Sequence, residues 1–460
     1  MSQETTWIEQ ALAASSADDC VVILRDTTEA NLRWALNALT TNGQTHSRTA
    51  SVVGVARRNQ VGHAAVVSGP VSDGSDLVAL VRQASAAATE APASEDSAPL
   101  PEPVVDPDYE LGAEPTGIGV FADLAAGLGR GLTAYREAGN ELFGFAQHRA
   151  TTTWLATSAG ARRRHLERSG MIEVNAKHPD RIGSAWVGQA TTDFTDVDAD
   201  ALVAEVTRRL GWCENRIELP AGRYETILPP SAVADLMILA YLSMSGRDAQ
   251  QGRSVYAGQK PGTTRVGERL AGLDLSLWSG PGSMPAAPFA VVPSSEAGMT
   301  SVYDNGADVS RQDWLTDGVL TQLIYPRAGA ERAGLDGLRF PTANLTLDAG
   351  SPTSLEEMIA STRHGLLLTC LWYIRPVDTE TLLATGLTRD GVYLVEDGSV
   401  VGMVNNFRFN ESPVDLLRRA TQASSSQPTL CREWNGYFTW TSMPALRIPD
   451  FNMSTVSRAY

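Results

Sequence analysis

The most regular hydrophobic pattern lies near the middle of the chain, in residues 229–260. Apolar side chains recur there at intervals of three and four, the spacing of one helix face; they are Val233, Leu236, Met237, Ala240, Tyr241 and Met244. Two prolines, Pro229 and Pro230, precede this run, and neither fits a helix interior. The pattern therefore predicts a helix that has Ser231 as its N-cap and ends at Gly246.

The first half of the chain alternates helical and strand patterns. Helices are predicted for residues 5–14, 29–39, 75–89, 121–139 and 198–210. Strands are predicted for residues 21–25, 49–57, 61–67, 140–150, 152–158 and 162–174, the last three as an antiparallel meander. Residues 90–115 are rich in Pro, Ala, Ser and acid, which predicts a surface connection. We expect residues 1–221 to form an α/β domain with an antiparallel sheet.

The second half is predicted to be rich in β-strands. The strand patterns cover residues 254–256, 273–278, 300–303, 320–325, 366–374, 391–396 and 400–407. The dipeptides Asp317-Gly318 and Asp397-Gly398 lie between such patterns and predict hairpin turns. Two short helices are predicted for residues 355–363 and 414–421. The predicted fold class is α+β, with residues 222–460 as a C-terminal β-rich domain.

Composition and charge restrict the classes of function. The chain has 460 residues, 43% hydrophobic and 20% charged, and a formal net charge of -16. This acidic balance argues against nucleic-acid binding, which depends on clustered Lys and Arg. The one basic run, ARRRHLER at residues 161–168, is predicted to form a solvated face or a partner contact.

Cysteine spacing and the lack of a long apolar segment predict where in the cell the protein is located. The cysteines have no Cys-x-x-Cys spacing, so reduced thiols are expected; they are Cys20, Cys213, Cys370 and Cys431. No signal-peptide pattern and no run of 18 apolar residues are present. We therefore expect a cytoplasmic protein that does not contact a membrane.

Few residues have the spacing of a catalytic or metal site. No two of the six histidines are spaced to chelate a metal from one helix, although His148 and His165 could meet across the predicted meander. GLGRG at residues 127–131 lacks a following Lys-Ser/Thr, which favours close packing of Gly127 and Gly131 over a phosphate loop. No Gly-x-Ser-x-Gly elbow is present. A Ser-His-Asp triad assembled from distant residues remains open.

The most unusual polar cluster is NNFRFNES, residues 405–412. Its predicted contact residues are Asn405, Asn406, Arg408, Asn410 and Glu411. They alternate around two phenylalanines, which implies two faces. Amide and guanidinium groups can bind an extended main chain, so we predict contact with a substrate or a partner. A polar face satisfied by neighbouring loops remains an alternative. An aromatic group could form a subunit interface or core; it comprises Trp434, Tyr437, Phe438 and Trp440.

Several stretches of the second half resemble the TldD/PmbA family of bacterial peptidases. They are RSVYAGQK (253–260), WLTDGVLTQLIYPR (314–327), TANLTLDAGSPTSLEEMIASTRHGLLL (342–368), TRDGVYLVEDGSVVGMVNNFRFNESPVDLLRR (388–419) and MPALRIPDFNMS (443–454). In the first half the resemblance rests mainly on RSGMIEVNAK (168–177). It implies a metallopeptidase built from a zinc-bearing TldD-like subunit and a TldE-like companion, each with N-terminal α/β and C-terminal β domains.

The zinc motif of that family is absent from this sequence. The family's His-Glu-x-x-x-His positions fall on Ile238, Leu239 and Ser243, which offer neither zinc ligands nor a general base. The family also takes a Cys ligand from a segment before the last strand, which here reads REWNGYFTWTSMP and has no Cys after Cys431. The resemblance is therefore to the PmbA/TldE type, with no cofactor in this chain and zinc in the partner.

Three functional hypotheses follow. The first is a non-catalytic subunit of a heterodimeric zinc metallopeptidase that processes or degrades peptides. The second is a catalytically active homo-oligomer that matures a peptide or natural product through other residues. The third is a scaffold that binds without turnover. A TldD-like chain from the same genome that co-purifies with this one would favour the first hypothesis.

Overall fold

A six-stranded sheet forms the first half of the protein. The structure is a computed structural model that describes residues 1–180, 182–282, 284–296 and 298–457. The strands of this sheet are β1 (Asp19–Ala35), β2 (Ala38–Arg58), β3 (Val61–Pro70), β4 (Glu141–Thr157), β5 (Arg162–Lys177) and β6 (Ser184–Thr191). Their spatial order is β3-β2-β1-β4-β5-β6. All neighbours are antiparallel, so the predicted antiparallel sheet is confirmed.

The predicted helix at residues 29–39 is wrong, because β1 continues through most of this region. Ala30, Leu32 and Trp34 are buried and the side chains between them are more exposed, which is the period of a strand. The chain reverses at Leu36 and Asn37, which have positive φ angles of 52° and 61°. The opening of the chain is therefore a long β-hairpin. Residues 140–158, predicted as two strands, also form one strand, β4.

Four helices cover one face of this sheet, close to the predicted ranges. They are α1 (Gln3–Ala13), α2 (Gly74–Glu90), α3 (Ala122–Glu137) and α4 (Ala199–Gly211). The first two pack near Val22 and Leu24, and the other two pack near Leu32. A Cβ atom on Gly127 of α3 would lie 2.7 Å from the Cβ of Ala199. The predicted close packing of this glycine-rich segment is confirmed.

The opposite face of the sheet contacts the second half of the chain. Val21, Ile23 and Val53 share one hydrophobic cluster with Phe289 and Tyr303. The strand predicted for residues 300–303 is wrong, since Val302–Asp304 form a short 3₁₀ helix there. Backbone carbonyl groups of this loop accept hydrogen bonds from a buried side-chain amide instead of from a neighbouring strand. Asn305 Nδ2 donates to Val292 O at 2.8 Å and to Val302 O at 3.0 Å.

The second half contains two more sheets. Its strands are β7 (Arg216–Ile217), β8 (Gly222–Leu228), β9 (Ser276–Ser279), β10 (Gln312–Thr316), β11 (Val319–Leu320), β12 (Asn344–Asp348), β13 (His364–Leu368), β14 (Leu371–Asp378), β15 (Leu383–Thr388), β16 (Val392–Glu396), β17 (Ser399–Val404), β18 (Phe407–Glu411), β19 (Gln422–Ala423), β20 (Gln427–Thr429), β21 (Trp440–Met443) and β22 (Leu446–Val456). One sheet has the order β11-β10-β9-β12-β21-β20. The larger sheet has the order β14-β15-β18-β22-β8-β13-β16-β17-β7, with β19 beside β22. The α+β fold class and the β-rich second half are confirmed.

Five α-helices accompany these sheets in the described part of the second half. They are α5 (Pro230–Leu242), α6 (Gly246–Gln250), α7 (Arg327–Arg332), α8 (Leu355–Ala360) and α9 (Pro413–Arg419). The central helix, α5, is buried from Ala232 to Tyr241 and shares a core with both sheets. Two details of its prediction are wrong. The N-cap is Pro229, because Ser231 Oγ bonds to Thr369 O instead, and Gly246 begins α6.

The predicted hairpin turns agree with the structure better than the predicted short strands do. Asp397 and Gly398 have φ angles of 45° and 79° and join β16 to β17, as expected for a two-residue hairpin. Asp317 and Gly318 join β10 to β11 in the same way. The strand predicted for residues 254–256 is wrong, and that predicted for 320–325 is reduced to β11.

Residues 90–115 run irregularly between α2 and α3, and the basic run of β5 holds them in place. Arg163 and Arg164 are only 5% and 3% exposed, and they pair with Asp106 and Asp108. The basic run is therefore not only a solvated face or a partner contact, since its two central arginines form ion pairs within the chain. Within the described ranges, no helix combines the length and apolar character needed to cross a membrane.

Candidate functional site

The central helix offers no donor set for zinc. Ile238 and Leu239 are buried among apolar side chains. Ser243 Oγ donates to Leu239 O at 2.9 Å, so its hydroxyl is hydrogen-bonded to the backbone of the helix. Across the described residues, no group of three His, Cys, Asp or Glu side chains could hold a metal ion. The side chains at the family's zinc positions therefore do not fit the metal.

The cysteine nearest to the family's additional ligand is also buried. Cys431 Sγ donates to Phe438 O at 3.1 Å, and burial raises the pKa of its thiol. A protonated, desolvated thiol is a poor nucleophile and a poor zinc ligand. The other three cysteines are free and buried too.

One carboxyl group lies inside the central helix, at Asp235. Its Oδ1 accepts a hydrogen bond from Glu433 N at 2.8 Å, whereas Oδ2 has no partner in the described part of the chain. Complete burial raises the pKa of Asp235 well above its ordinary value, which favours the neutral acid. No role was predicted for Asp235 from the sequence, although it is the one charged residue in an apolar helical run.

A cavity of about 810 Å³, called the large cavity below, lies beside α9 in the second half. Its walls come from residues between 252 and 270, from residues 380–383, from residues 410–419, and from Arg223 and Asn452. Two of the family-like stretches, RSVYAGQK and the end of NNFRFNES with the helix after it, thus meet at one cavity. The second-half loops bring together residues that are far apart in sequence.

A partly buried ion-pair network forms one wall of this large cavity. Arg419 pairs with Glu411 and with Asp415, the latter at 2.7 Å, and also donates to Pro449 O at 2.8 Å. Burial raises the pKa of Glu411, despite opposing hydrogen bonds from Asn452 and Arg419. For Asp415, burial raises the pKa but hydrogen bonds from two arginines outweigh it, so the pKa is lowered. The charges of Arg419, Glu411 and Asp415 are thus already paired.

Other groups on the large cavity are free to contact a ligand. The side chains of Gln259, Glu380 and Asn410 line it and have no hydrogen-bonding partner among the described residues. Amide groups both donate and accept, so they match the alternating groups of an extended peptide backbone. This arrangement suits a short peptide segment.

The structure divides the predicted contact residues 405–411 between two cavities. Asn410 and Glu411 line the large cavity, whereas Asn405 and Asn406 line a second cavity of about 390 Å³. Arg408 is exposed, and its Nη1 lies 3.2 Å from Thr385 Oγ1. The predicted alternation around two buried phenylalanines is confirmed, because Phe407 and Phe409 are fully buried in β18. No single polar face contains all five residues.

The second cavity lies where the two halves of the chain meet. Ser184 of β6 contributes one wall and donates from Oγ to Asp390 Oδ1 at 2.7 Å. Asp390 has a positive φ of 52° and precedes Gly391, so an Asp-Gly turn places the carboxylate there. This dipeptide belongs to the family-like stretch 388–419, but its sequence alone predicted no role for it.

The histidines do not assemble a site. His148 pairs with Gly170 in the β4/β5 ladder, whereas His165 pairs with Thr153, so the two imidazoles do not meet. His148 contacts Thr116 Oγ1 at 2.6 Å and Thr192 O at 2.7 Å. Burial lowers the pKa of both imidazoles, which favours their neutral forms.

The aromatic group near the C-terminus divides into core and surface. Phe438 is buried, and Trp434 Nε1 donates to Asp235 O at 2.9 Å. Tyr437 is 78% exposed. The side chain of Trp440 is half-buried, and its Nε1 has no partner in the described part of the chain.

Comparison with known proteins identifies the family. A family model described as the PmbA/TldA metallopeptidase C-terminal domain matches residues 221–455, more than half of the chain. The chain belongs to the TldD/PmbA family. It is thus a relative of the TldD/TldE metallopeptidases, and the resemblance seen in the sequence is confirmed.

Solved structures show that this TldD/PmbA-family fold extends over the whole chain. TldE from Thermococcus kodakarensis is similar with a TM-score of 0.75 and 15% identity, over 98% of this chain and 99% of that one. A candidate modulator of DNA gyrase from Bacteroides thetaiotaomicron is similar with a TM-score of 0.73 and 13% identity, over 99% and 100%. At this identity the likeness concerns the fold alone. No curated protein sequence matches the chain significantly.

Proposed function

We propose that this chain is the non-catalytic, TldE-like companion of a TldD-like zinc metallopeptidase subunit. The two would form a heterodimer that processes or degrades peptides in the cytoplasm. The observation that carries the proposal is the central helix, where family zinc positions are occupied by Ile238, Leu239 and Ser243. Zinc and cleavage would then belong to the partner subunit, and this chain would need no cofactor of its own.

The large cavity supports a role in holding peptide substrate. Its free amides, Gln259 and Asn410, are arranged with Glu380 around a space of about 810 Å³. That volume lies within the range of ligand-binding cavities. In this proposal, Asn410 contacts the peptide directly, and Glu411 supports the wall through Arg419.

Exposed aromatic residues support a contact with the partner subunit. Tyr373 is 54% exposed and Tyr437 is 78% exposed. The segments that carry them are joined at Glu433, whose carboxylate accepts from Tyr373 N at 3.0 Å. Large exposed aromatic side chains are enriched at interfaces, where they lose water on association.

Co-purification tests the proposal. The chain is expressed with a TldD-like chain from the same genome, and the complex is assayed for stoichiometry, zinc content and cleavage of a peptide library. We expect a heterodimer with one zinc ion, carried by the partner, and cleavage only by the complex. Tyr437→Ser should weaken association by about 10-fold or more if this residue is an interface anchor. Leu39→Ser, at an exposed hairpin position in the first half, is the matched control.

Two outcomes would contradict the proposal, one seen with the isolated chain and one with the complex. Stoichiometric zinc and peptide cleavage by this chain alone would establish the active homo-oligomer instead. A complex that binds peptides but never cleaves them would indicate a scaffold.

A further inference from the structure

The second cavity has the chemistry of a site for a positively charged side chain. Two carboxylates, Asp390 and Glu218, line this cavity of about 390 Å³, and no Lys or Arg is among its lining residues in the described part of the chain. Apolar side chains form another part of the wall, including Ile182 and Val456, which are 38% and 48% exposed. Acidic groups and apolar side chains in one cavity match a cationic group on an alkyl stem.

The Asp390 carboxylate is desolvated but incompletely satisfied. Asp390 is 8% exposed. Its Oδ1 accepts one hydrogen bond, from Ser184 Oγ, and its Oδ2 forms a long ion pair with Arg389, whose Nε lies 3.8 Å away. That distance is too long for a hydrogen bond. A carboxylate has about four acceptor positions, so this buried group retains capacity for an additional N–H donor.

The second acid of the cavity, Glu218, has an unpaired carboxylate in the described part of the chain. Glu218 is exposed, and its carboxylate has no hydrogen bond or ion pair with the described residues. A cation between the two acids would therefore be held by one buried carboxylate and one exposed carboxylate. An anionic ligand would meet two like charges, which excludes phosphates and peptide carboxylates as the preferred group.

We propose that the second cavity binds the basic side chain of a peptide, lysine or arginine, through Asp390 and Glu218. The alkyl stem lies against Ile182 and Val456, and the charged end is held by the two carboxylates. Because the cavity is formed entirely within this chain, the proposal does not depend on the companion role or on a TldD-like partner. Binding is measured on the isolated full-length chain.

Titration calorimetry with capped tetrapeptides tests the site. The probes are acetyl-Gly-Gly-Lys-Gly-amide and its arginine, norleucine and glutamate analogues. We expect the lysine or arginine peptide to bind at least about 10-fold more tightly than the norleucine peptide, as for one charged hydrogen bond. The glutamate peptide should bind least. Equal affinities for lysine, arginine and norleucine, or no binding of either basic peptide, would overturn the proposal.

Three variants separate the charge from the structure around it. Asp390→Asn keeps an oxygen that accepts from Ser184 but removes the charge, and should weaken basic-peptide binding about 10-fold or more. Glu218→Gln, at an exposed position, should weaken it by a smaller factor without affecting folding. Glu137→Gln removes an exposed carboxylate at the end of α3 that lines neither cavity, and should leave this affinity unchanged. An unchanged affinity in both Asp390→Asn and Glu218→Gln, or an equal loss in Glu137→Gln, would contradict the assignment.

Discussion

Replacing Arg163 with methionine should loosen residues 90–115 from both halves of the protein. Arg163 Nε lies 3.0 Å from Asp106 Oδ1 in this connection, and Nη1 lies 2.7 Å from Asp308 Oδ1 in the second half. The guanidinium carbon also lies 4.7 Å from the centre of the Phe289 ring. One buried side chain of β5 thus joins three segments that are distant in sequence.

The size of the effect follows from the burial of each partner. Removing one member of a buried ion pair costs about 3–5 kcal/mol. The cost here should be near the lower limit, because Asp308 is 75% exposed and Asp106 still accepts from Arg164 N at 2.9 Å. Methionine retains most of the alkyl stem, so we expect a loss of about 3 kcal/mol. Arg168→Met is the matched control: this residue and its partner Glu114 are both 45% exposed, and the expected loss is about 0–1 kcal/mol.

Amide hydrogen exchange measured by mass spectrometry can detect this local loss. Local exchange is preferable to global unfolding, because it reports on the opening of residues 90–115 themselves. In peptides covering residues 103–112, Arg163→Met should raise the exchange rate by about 100-fold, the factor that corresponds to this free energy. Arg168→Met should raise it by less than about fivefold. Similar exchange in the two variants would refute the view that the buried arginine anchors the connection.

Two further predictions concern helices. Gly127→Ala should destabilise the protein by about 1–3 kcal/mol because the added Cβ would press on Ala199. In the control Gly129→Ala the added Cβ meets no neighbour, so α3 should become more stable by about 0.5–1 kcal/mol. Thermal melting measures both variants, and equal shifts in melting temperature would contradict the close packing. The second prediction concerns Asp235, whose pKa is higher in the folded than in the unfolded protein. The neutral carboxyl therefore contributes stability that is fully present below the unfolded-state pKa. This contribution is lost as the pH rises through the folded-state pKa. Asp235→Asn should remove that part of the decline in urea midpoint toward high pH, and an unchanged pH profile would show that the carboxyl is not neutral in the folded protein.

Local patterns of the sequence predicted many elements because they depend on near neighbours. The helical spacing of α5, the Asp-Gly turns at residues 317–318 and 397–398, and the close packing at Gly127 were all accessible in this way. The family resemblance and the missing zinc ligands were also readable from short stretches. In contrast, residues 29–39 carry apolar spacing that fits a helix locally, and pairing with β2 and β4 makes them a strand.

The chemical state of the candidate residues was decided by tertiary contacts. Residues 405–411 form one cluster in sequence, but the packing of β18 assigns their polar groups to two cavities. Asp235 and Asp390 are ordinary acids in the sequence and become desolvated only when segments roughly 200 residues distant close around them. Spacing along the chain determines secondary structure and the available side-chain chemistry, whereas burial, pairing and charge depend on which distant segments meet.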